Sequence, residues 1–383
     1  MKGVLTSVSI GLALAVLSVV PGAHADYNLV QTWAGQSFFD GWQFYGAYDN
    51  LTNGDTIWVN QSLATSSHLA YVDGNGKAII KVDNTTNVLY NDKRNSVRIT
   101  TTNSFPVGSV FILDALHLPY GCSVWPAFWT MGPNWPIGGE IDILETVNLM
   151  TQNQMAVHAA SGCTKANNSQ QTGINNNANC TDGTGCTVLE TNTKSVGAAF
   201  ASAQGGVYAA QFDVSGIYIW FWSRASVPAN LQNPGSTINT TAWGTPSAAY
   251  PSSTCNITNY FTAQKLVLDI TLCGDWAGVP SVYNATCSGG TTGVCYTDNV
   301  IGAGSPRYDN AYFQINYVRV YTVDGVTSSV LSSLHRTSTS SISTPTSTST
   351  SSKSGSNPGV VLNVSSSLPL FVLLFIGALA ILV

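Results

Sequence analysis

Gly139-Glu140-Ile141-Asp142-Ile143-Leu144-Glu145 is the stretch from which the rest of the chain can be read. Acidic and branched apolar residues alternate from Glu140 to Ile143. Such period-2 alternation marks a strand with one apolar and one polar face. Glutamate occurs at only three positions in the 383 residues, and the third is Glu190. Two of the three therefore flank a single aspartate. The odd offset between Glu140 and Glu145 would send them to opposite faces of a regular strand. One extra residue at Ile143-Leu144, a β-bulge, returns Glu145 to the face of Glu140 and Asp142. The two glutamate backbones would then stand roughly 13 Å apart at ~3.3 Å per residue, a gap that leaning side chains can narrow.

Working outward, the same alternation predicts strands over 77–83, 96–100, 109–113, 154–158, 207–213, 216–222, 265–272 and 312–323. These segments are rich in Val, Ile, Tyr, Phe and Trp, and clusters of Gly, Asn, Pro and Ser separate them. Asp73-Gly74-Asn75-Gly76 is a hairpin turn signal ahead of the first. Helix-period stretches are hard to find. Many short strands in one large unit predict an all-β, two-sheet sandwich. Segments 166–191 and 225–262, rich in Asn, Ser and Thr, read as long loops that could wall a cleft. Glu190 lies in the first of them and is expected in solvent. Trp220, Trp222 and Arg224 fall on a strand away from the acidic stretch and are expected in the core or on an outer face.

The ends of the chain differ from its body. Lys2, the apolar run 10–20 and Ala23-His24-Ala25 form a signal-peptide pattern over 1–25. The body runs from 26 to 325. A stalk of mostly Ser and Thr follows over 326–353, too polar to bury a core. Small residues at Ser354-Gly355-Ser356, a spacer and the apolar tail 368–383 match a glycosylphosphatidylinositol attachment signal over 354–383. These features predict an extracellular protein at the cell surface or wall, held to the plasma membrane by a lipid anchor only.

All eight cysteines lie in the body, as expected of disulfides in an exported chain. Cys180–Cys186 and Cys287–Cys295 could each close a short loop, but sequence alone leaves the pairing open. N-x-S/T sequons recur from Asn50 to Asn284 and point to a eukaryotic secretory route. The net charge is −5 and no basic block occurs, which argues against nucleic acid. Charged residues make up 9% of the chain, against plentiful Trp, Tyr, Asn and Thr. That mixture suits neutral sugars, whose C–H faces stack on rings and whose hydroxyls need amide and hydroxyl partners. A monomer is expected.

Two carboxylates on one face are the equipment of glycosidic bond cleavage, and a retaining pair stands ~5–5.5 Å apart. One must be ionised to attack the anomeric carbon. The other must hold a proton for the leaving oxygen. Three carboxylates on one face cannot all ionise cheaply, so at least one titrates high. Asp142, between the glutamates, can modulate the nucleophile. The rival reading is an acidic strand that faces solvent or binds calcium, but calcium prefers loops that mix carboxylates with carbonyls.

Trp125-Pro126-Ala127-Phe128-Trp129, Trp135-Pro136 and the acidic stretch through Asn148 resemble the signature of glycoside hydrolase family 16. The E-x-D-x-x-E form resembles its bulged, laminarinase-type branch. Arg94-Asn95-Ser96-Val97-Arg98-Ile99, Leu272-Cys273-Gly274-Asp275-Trp276-Ala277-Gly278 and Tyr317-Val318-Arg319-Val320-Tyr321 resemble fungal members. The resemblance implies a β-jelly roll whose concave sheet forms an open cleft. It implies retaining endo-hydrolysis of β-1,3-glucan, often tolerating β-1,4 links. By motif position it makes Glu140 the nucleophile, Asp142 its assistant and Glu145 the acid/base. His158, Trp125, Trp129, Trp135, Trp276 and Asn148 resemble substrate-binding positions. No organic or redox cofactor and no catalytic metal is implied, and a structural calcium is left open. Two other functions compete with hydrolysis: transglycosylation of wall glucan and glucan binding without catalysis.

Overall fold

Antiparallel pairing builds two large sheets. The computed structural model describes residues 26–323 apart from residue 182, so the predicted signal peptide, stalk and anchor signal lie outside the described residues. The first sheet has eight strands in the order Ile174–Asn175, Cys186–Leu189, Gln154–His158, Glu140–Glu145, Val124–Met131, Lys265–Leu272, Arg98–Thr101, Trp42–Phe44. The spine of the second runs Thr237–Ile238, Tyr27–Ala34, Tyr312–Thr322, Ser109–His117, Gly206–Asp213, Gly216–Ser223, Ala248–Pro251. The hairpin Ala70–Val72/Ala78–Lys81 joins its Tyr312–Thr322 strand. Asp73 closes that hairpin, its Oδ1 accepting the N–H groups of Asn75 and Lys77. Among the described residues no helix is long and apolar enough to cross a membrane.

Alternation sets what each sheet buries. Phe128, Ile141, Leu144, Leu268 and Ile270 from the first sheet meet Phe111, Leu113, Tyr208, Phe212 and Val320 from the second in one buried cluster. The expected sandwich is therefore present, with the acidic strand near the middle of one layer. The other face of the second sheet is also covered. Val110, Ile112, Val207 and Trp220 pack there with Val227, Leu231, Ile238 and Trp243. Trp220 and Trp222 belong to this outer cluster, and Arg224 beside it pairs with Asp114 at 2.6 Å.

That covering corrects one expectation. The early part of segment 225–262 lies on the outer face of the second sheet and walls no cleft, because its apolar residues follow that sheet's exposed rings. Segment 166–191 is not all loop either: Cys186–Leu189 pairs with Gln154–His158 and widens the first sheet. Glu190 is buried, at 3% exposure, and its Oε1 accepts the N–H groups of Thr191 and Asn192. It shapes a turn and is not the solvated side chain expected of a polar loop.

Two further differences have local causes. Val124–Met131 was not among the predicted strands, because Pro126 breaks its pattern. The proline is tolerated because Ile270 opposite it bonds on its other edge, its N–H to Val97 O at 3.2 Å and its carbonyl to Ser96 Oγ at 2.5 Å, and because pairing with the acidic strand begins only at Ala127. The predicted strand 96–100 is two short ones, Arg94–Ser96 and Arg98–Thr101, which pair with different partners. The disulfides are Cys122–Cys287, Cys163–Cys255, Cys180–Cys186 and Cys273–Cys295. The short loop expected at Cys180–Cys186 is closed, and the one at Cys287–Cys295 is not.

Candidate active site

The acidic strand carries the bulge its spacing requires. Ala127 faces Glu145 and Phe128 faces Leu144, but the next partner of Trp129 is Asp142. Ile143 is the extra residue. Ile143 and Leu144 are both fully buried in the core, and Glu140, Asp142 and Glu145 share the opposite, open face. A single inserted residue thus satisfies two demands: an apolar pair for the core and three acids for the cleft.

Neighbouring strands line the same face with rings and one small residue. Trp125 donates from Nε1 to Glu145 Oε1 at 2.7 Å, and Trp276 meets Trp125 edge-on with centroids 5.6 Å apart. Trp129, four residues from Trp125, shares its face of the strand and lies under the Arg98 guanidinium at 4.9 Å. Trp135, in the turn before the acidic strand, is 58% exposed and lies 6.3 Å from the His158 ring. His158 faces Glu140 across the ladder, and its Nε2 is 3.2 Å from Asp142 Oδ2. Glu145, Ala127, Asp269 and Arg98 form one row across four strands. Ala127 leaves space at the centre of that row.

Glu140, Asp142 and His158 have polar atoms within 4.8 Å of one another. Among the described residues this is the one group close enough to hold a metal ion, and it consists of the cleft acids themselves. Burial raises the pKa of Glu140 well above the ordinary carboxylate range, and the Asp142 charge adds to the effect. Glu145 is raised in the same direction, first by burial and then by Asp142. Burial also pushes Asp142 up to about 7. The cleft therefore keeps protons near neutrality, as an acid-catalysed cleavage needs.

Eight of the nine predicted site residues come together in this cleft: Glu140, Asp142, Glu145, His158, Trp125, Trp129, Trp135 and Trp276. Asn148 differs. It is 4% exposed, its Oδ1 accepts the Ser123 N–H at 2.8 Å, and its Nδ2 donates to Ala277 O at 3.0 Å. Both ends of the amide are consumed by backbone next to Trp276. Asn148 is thus tied to the turn that carries Trp276.

Sequence reasoning missed Arg98 and Asp269. Arg98 is 3% exposed, 3.2 Å from Asp269, and stacked over Trp129, Trp58 and Tyr45 at 4.9, 5.1 and 5.3 Å. A signal was available: Arg98 sits between Val97 and Ile99, on the polar face of a predicted strand. Its partner, 171 positions away, could not be read from local pattern.

A β-jelly roll whose concave sheet carries buried acids between tryptophans is the architecture of a glycoside hydrolase. Residues 42–321 match the family model described as XgeA-like, catalytic GH16 domain. The chain belongs to glycoside hydrolase family 16. An Aspergillus niger protein named "Probable endo-1,3(4)-beta-glucanase" is 34% identical over 339 residues, covering 87% of this chain and 45% of that protein. The chain spans about half the length of most of the curated relatives it matches. Laminarinase 16A from Phanerochaete chrysosporium, solved with β-glucans in donor and acceptor sites, is 35% identical with a TM-score of 0.73. It covers 78% of this chain and is itself covered completely. An elongating family 16 β-1,3-glucosyltransferase is 33% identical with a TM-score of 0.71, covering 77% of this chain and all of its own.

Proposed function

We propose that the protein is a retaining endo-hydrolase of β-1,3-glucan and mixed β-1,3/1,4-glucan. The observation that carries this reading is the bulged strand, which turns Glu140, Asp142 and Glu145 to one cleft face among tryptophans. Glu140 attacks the anomeric carbon while Glu145 gives its proton to the departing glycosidic oxygen. A glycosyl-enzyme ester forms on Glu140. Glu145, now ionised, takes a proton from water, which attacks the same carbon and releases Glu140. Asp142, held by His158, carries charge beside Glu140 and helps set when it ionises. Trp125, Trp129, Trp135 and Trp276 offer ring faces to the sugars.

The predicted signal peptide and anchor support action at the cell surface, beside the organism's own glucan. Release of the protein from cells by a phosphatidylinositol-specific phospholipase tests that placement. Retention after treatment would overturn it.

A second reading is favoured by the likeness to the elongating glucosyltransferase. In it a sugar hydroxyl, not water, resolves the glycosyl-enzyme. Product analysis of the purified protein on laminarin and mixed-linkage glucan separates the two, beside Glu140→Gln and Glu145→Gln. Hydrolysis gives shorter chains released first as the β-anomer, with kcat lost by ~10²–10⁴-fold when the acid is removed. Chains longer than those supplied mean transfer. Tight binding without turnover would leave only a glucan-binding protein.

A further inference from the structure

The bulge that aligns the acids creates a local problem in hydrogen bonding. Strand Gln154–His158 pairs with the acidic strand only at Glu140, Ile141 and Asp142. Past Asp142 the bulge breaks the ladder. The Ile143 carbonyl and the Glu145 N–H then need partners from elsewhere, because unpaired buried backbone groups are costly.

One side chain supplies both. Asn153, fully buried, accepts the Glu145 N–H on Oδ1 at 2.8 Å and donates from Nδ2 to the Ile143 carbonyl at 3.0 Å. Its own backbone is pinned as well. Its N–H donates to Ser195 Oγ at 3.1 Å, and its carbonyl accepts the Glu190 N–H at 2.9 Å. The buried Glu190 carboxylate holds the following turn by accepting the Thr191 and Asn192 N–H groups. Gln152, next to Asn153 in sequence, donates to the Glu190 carbonyl at 2.8 Å.

We propose that Asn153 is a positioning residue that fixes the bulge at Ile143 and so holds Glu145 on the face of Glu140. The proposal rests on the glycosidase reading above. Its physical content is a choice between registers. A strand that slips by one residue sends its side chains to the other face. An extra residue placed before Asp142, or none at all, would break the common face of Glu140, Asp142 and Glu145. The Asn153 amide fits one arrangement only, with its acceptor at Glu145 and its donor at Ile143. It acts on the acid/base side of the site, since Glu140 and Asp142 keep their ordinary ladder.

The test compares the purified Asn153→Ala, Asn153→Asp and Ser195→Ala proteins with wild type. Ser195→Ala disturbs the same buried turn without touching the bulge. Two substrates are used: laminarin, whose leaving oxygen needs a proton, and a 2,4-dinitrophenyl β-laminaribioside, whose phenolate departs without one. For Asn153→Ala, kcat on laminarin should fall about 100-fold, the scale of a lost general acid, with KM within about 3-fold. On the aryl glycoside, attack by Glu140 should still release about one equivalent of dinitrophenolate in a burst, by the single turnover that one nucleophile allows. Slow turnover should follow, because water lacks its base, and azide should restore it by forming the glycosyl azide. Ser195→Ala, which frees the Asn153 N–H but leaves its amide on the bulge, should lose far less kcat on laminarin than Asn153→Ala. Equal losses on the two substrates, or no loss on laminarin, would overturn the proposal.

If Asn153→Ala does not fold, Asn153→Asp decides. Its carboxylic acid makes both bonds when protonated and loses the donor when ionised. Its kcat relative to wild type should therefore fall as pH rises, and a constant ratio would refute the role. Hydrogen exchange at the Glu145 amide reads the bulge without any substrate. It should accelerate in Asn153→Ala and not in Ser195→Ala. An inactive wild type with this exchange pattern would sink the glycosidase reading and keep the bulge lock. Normal exchange in Asn153→Ala would sink the lock itself.

Discussion

Removing the Arg98 guanidinium should destabilise the protein far more in alkali than in acid. Arg98 and Asp269 are buried beneath the cleft, 3.2 Å apart. Burial pushes Asp269 up from an ordinary 3.8 to about 6, even though Arg98 pulls it down. An acid raised in the folded state favours folding below its unfolded pKa and loses that contribution as pH rises through its folded value. In wild type the loss runs from about pH 4 to about pH 6 and amounts to about 3 kcal/mol, at 1.36 kcal/mol per pH unit. In Arg98→Ala the attraction is gone, Asp269 titrates higher still, and the loss continues beyond pH 6.

Two contributions to the penalty can then be separated. At pH 4.5 Asp269 is protonated in the variant, and the cost is mainly the lost contacts over Trp129, Trp58 and Tyr45, about 1–2 kcal/mol. At pH 8 an unpaired buried charge is added, and broken buried pairs cost about 3–5 kcal/mol. At ~2–4 °C per kcal/mol, Tm should drop by about 4 °C at pH 4.5 and about 15 °C at pH 8. Thermal unfolding followed by circular dichroism at the two pH values measures this. Adding Asp269→Asn to Arg98→Ala should erase the difference between them. An equal penalty at both pH values, or a larger one in acid, would refute the reasoning. Because Trp129 rests on Arg98, the variant should also bind glucan more weakly.

Trp135→Ala should raise KM for long glucans about fivefold through a lost stacking contact of about 1 kcal/mol, with Tm unchanged because the ring is 58% exposed. Gly185 has φ +65°, and a Cβ there would stand 2.8 Å from His158 Nε2. Gly185→Ala should therefore displace His158 from Asp142 and cut kcat about 10–100-fold, as small misplacements in active sites do. The alkaline limb of kcat/KM on laminarin should lie well above the ordinary carboxylate range, since burial and Asp142 both raise Glu145. Asp142→Asn removes the like charge and should move that limb to lower pH; a limb that stays or rises would exclude Glu145 as the titrating acid.

What could be read from sequence follows from the range of each interaction. Gln154–His158 and Lys265–Leu272 have the bounds their alternation predicts, because burial of one face imposes its period on every residue. Val124–Met131 was hidden by Pro126, which is tolerated because neither neighbouring strand calls on an N–H at that position, a fact set by register and not by local sequence. The acids could be read because their odd spacing is inconsistent with an unbroken strand, and that inconsistency predicts the bulge. The device that meets the bulge's cost could not. Asn153 lies one residue before a strand, in no period, and nothing local marks its amide as the partner of Ile143 and Glu145. Asp269 is likewise one acid among many until folding sets it beside Arg98. A regular strand needs only its period to place its side chains. Three acids aligned by an irregular one need a partner outside the ladder, so the residue that secures the alignment lies where periodicity gives no sign of it.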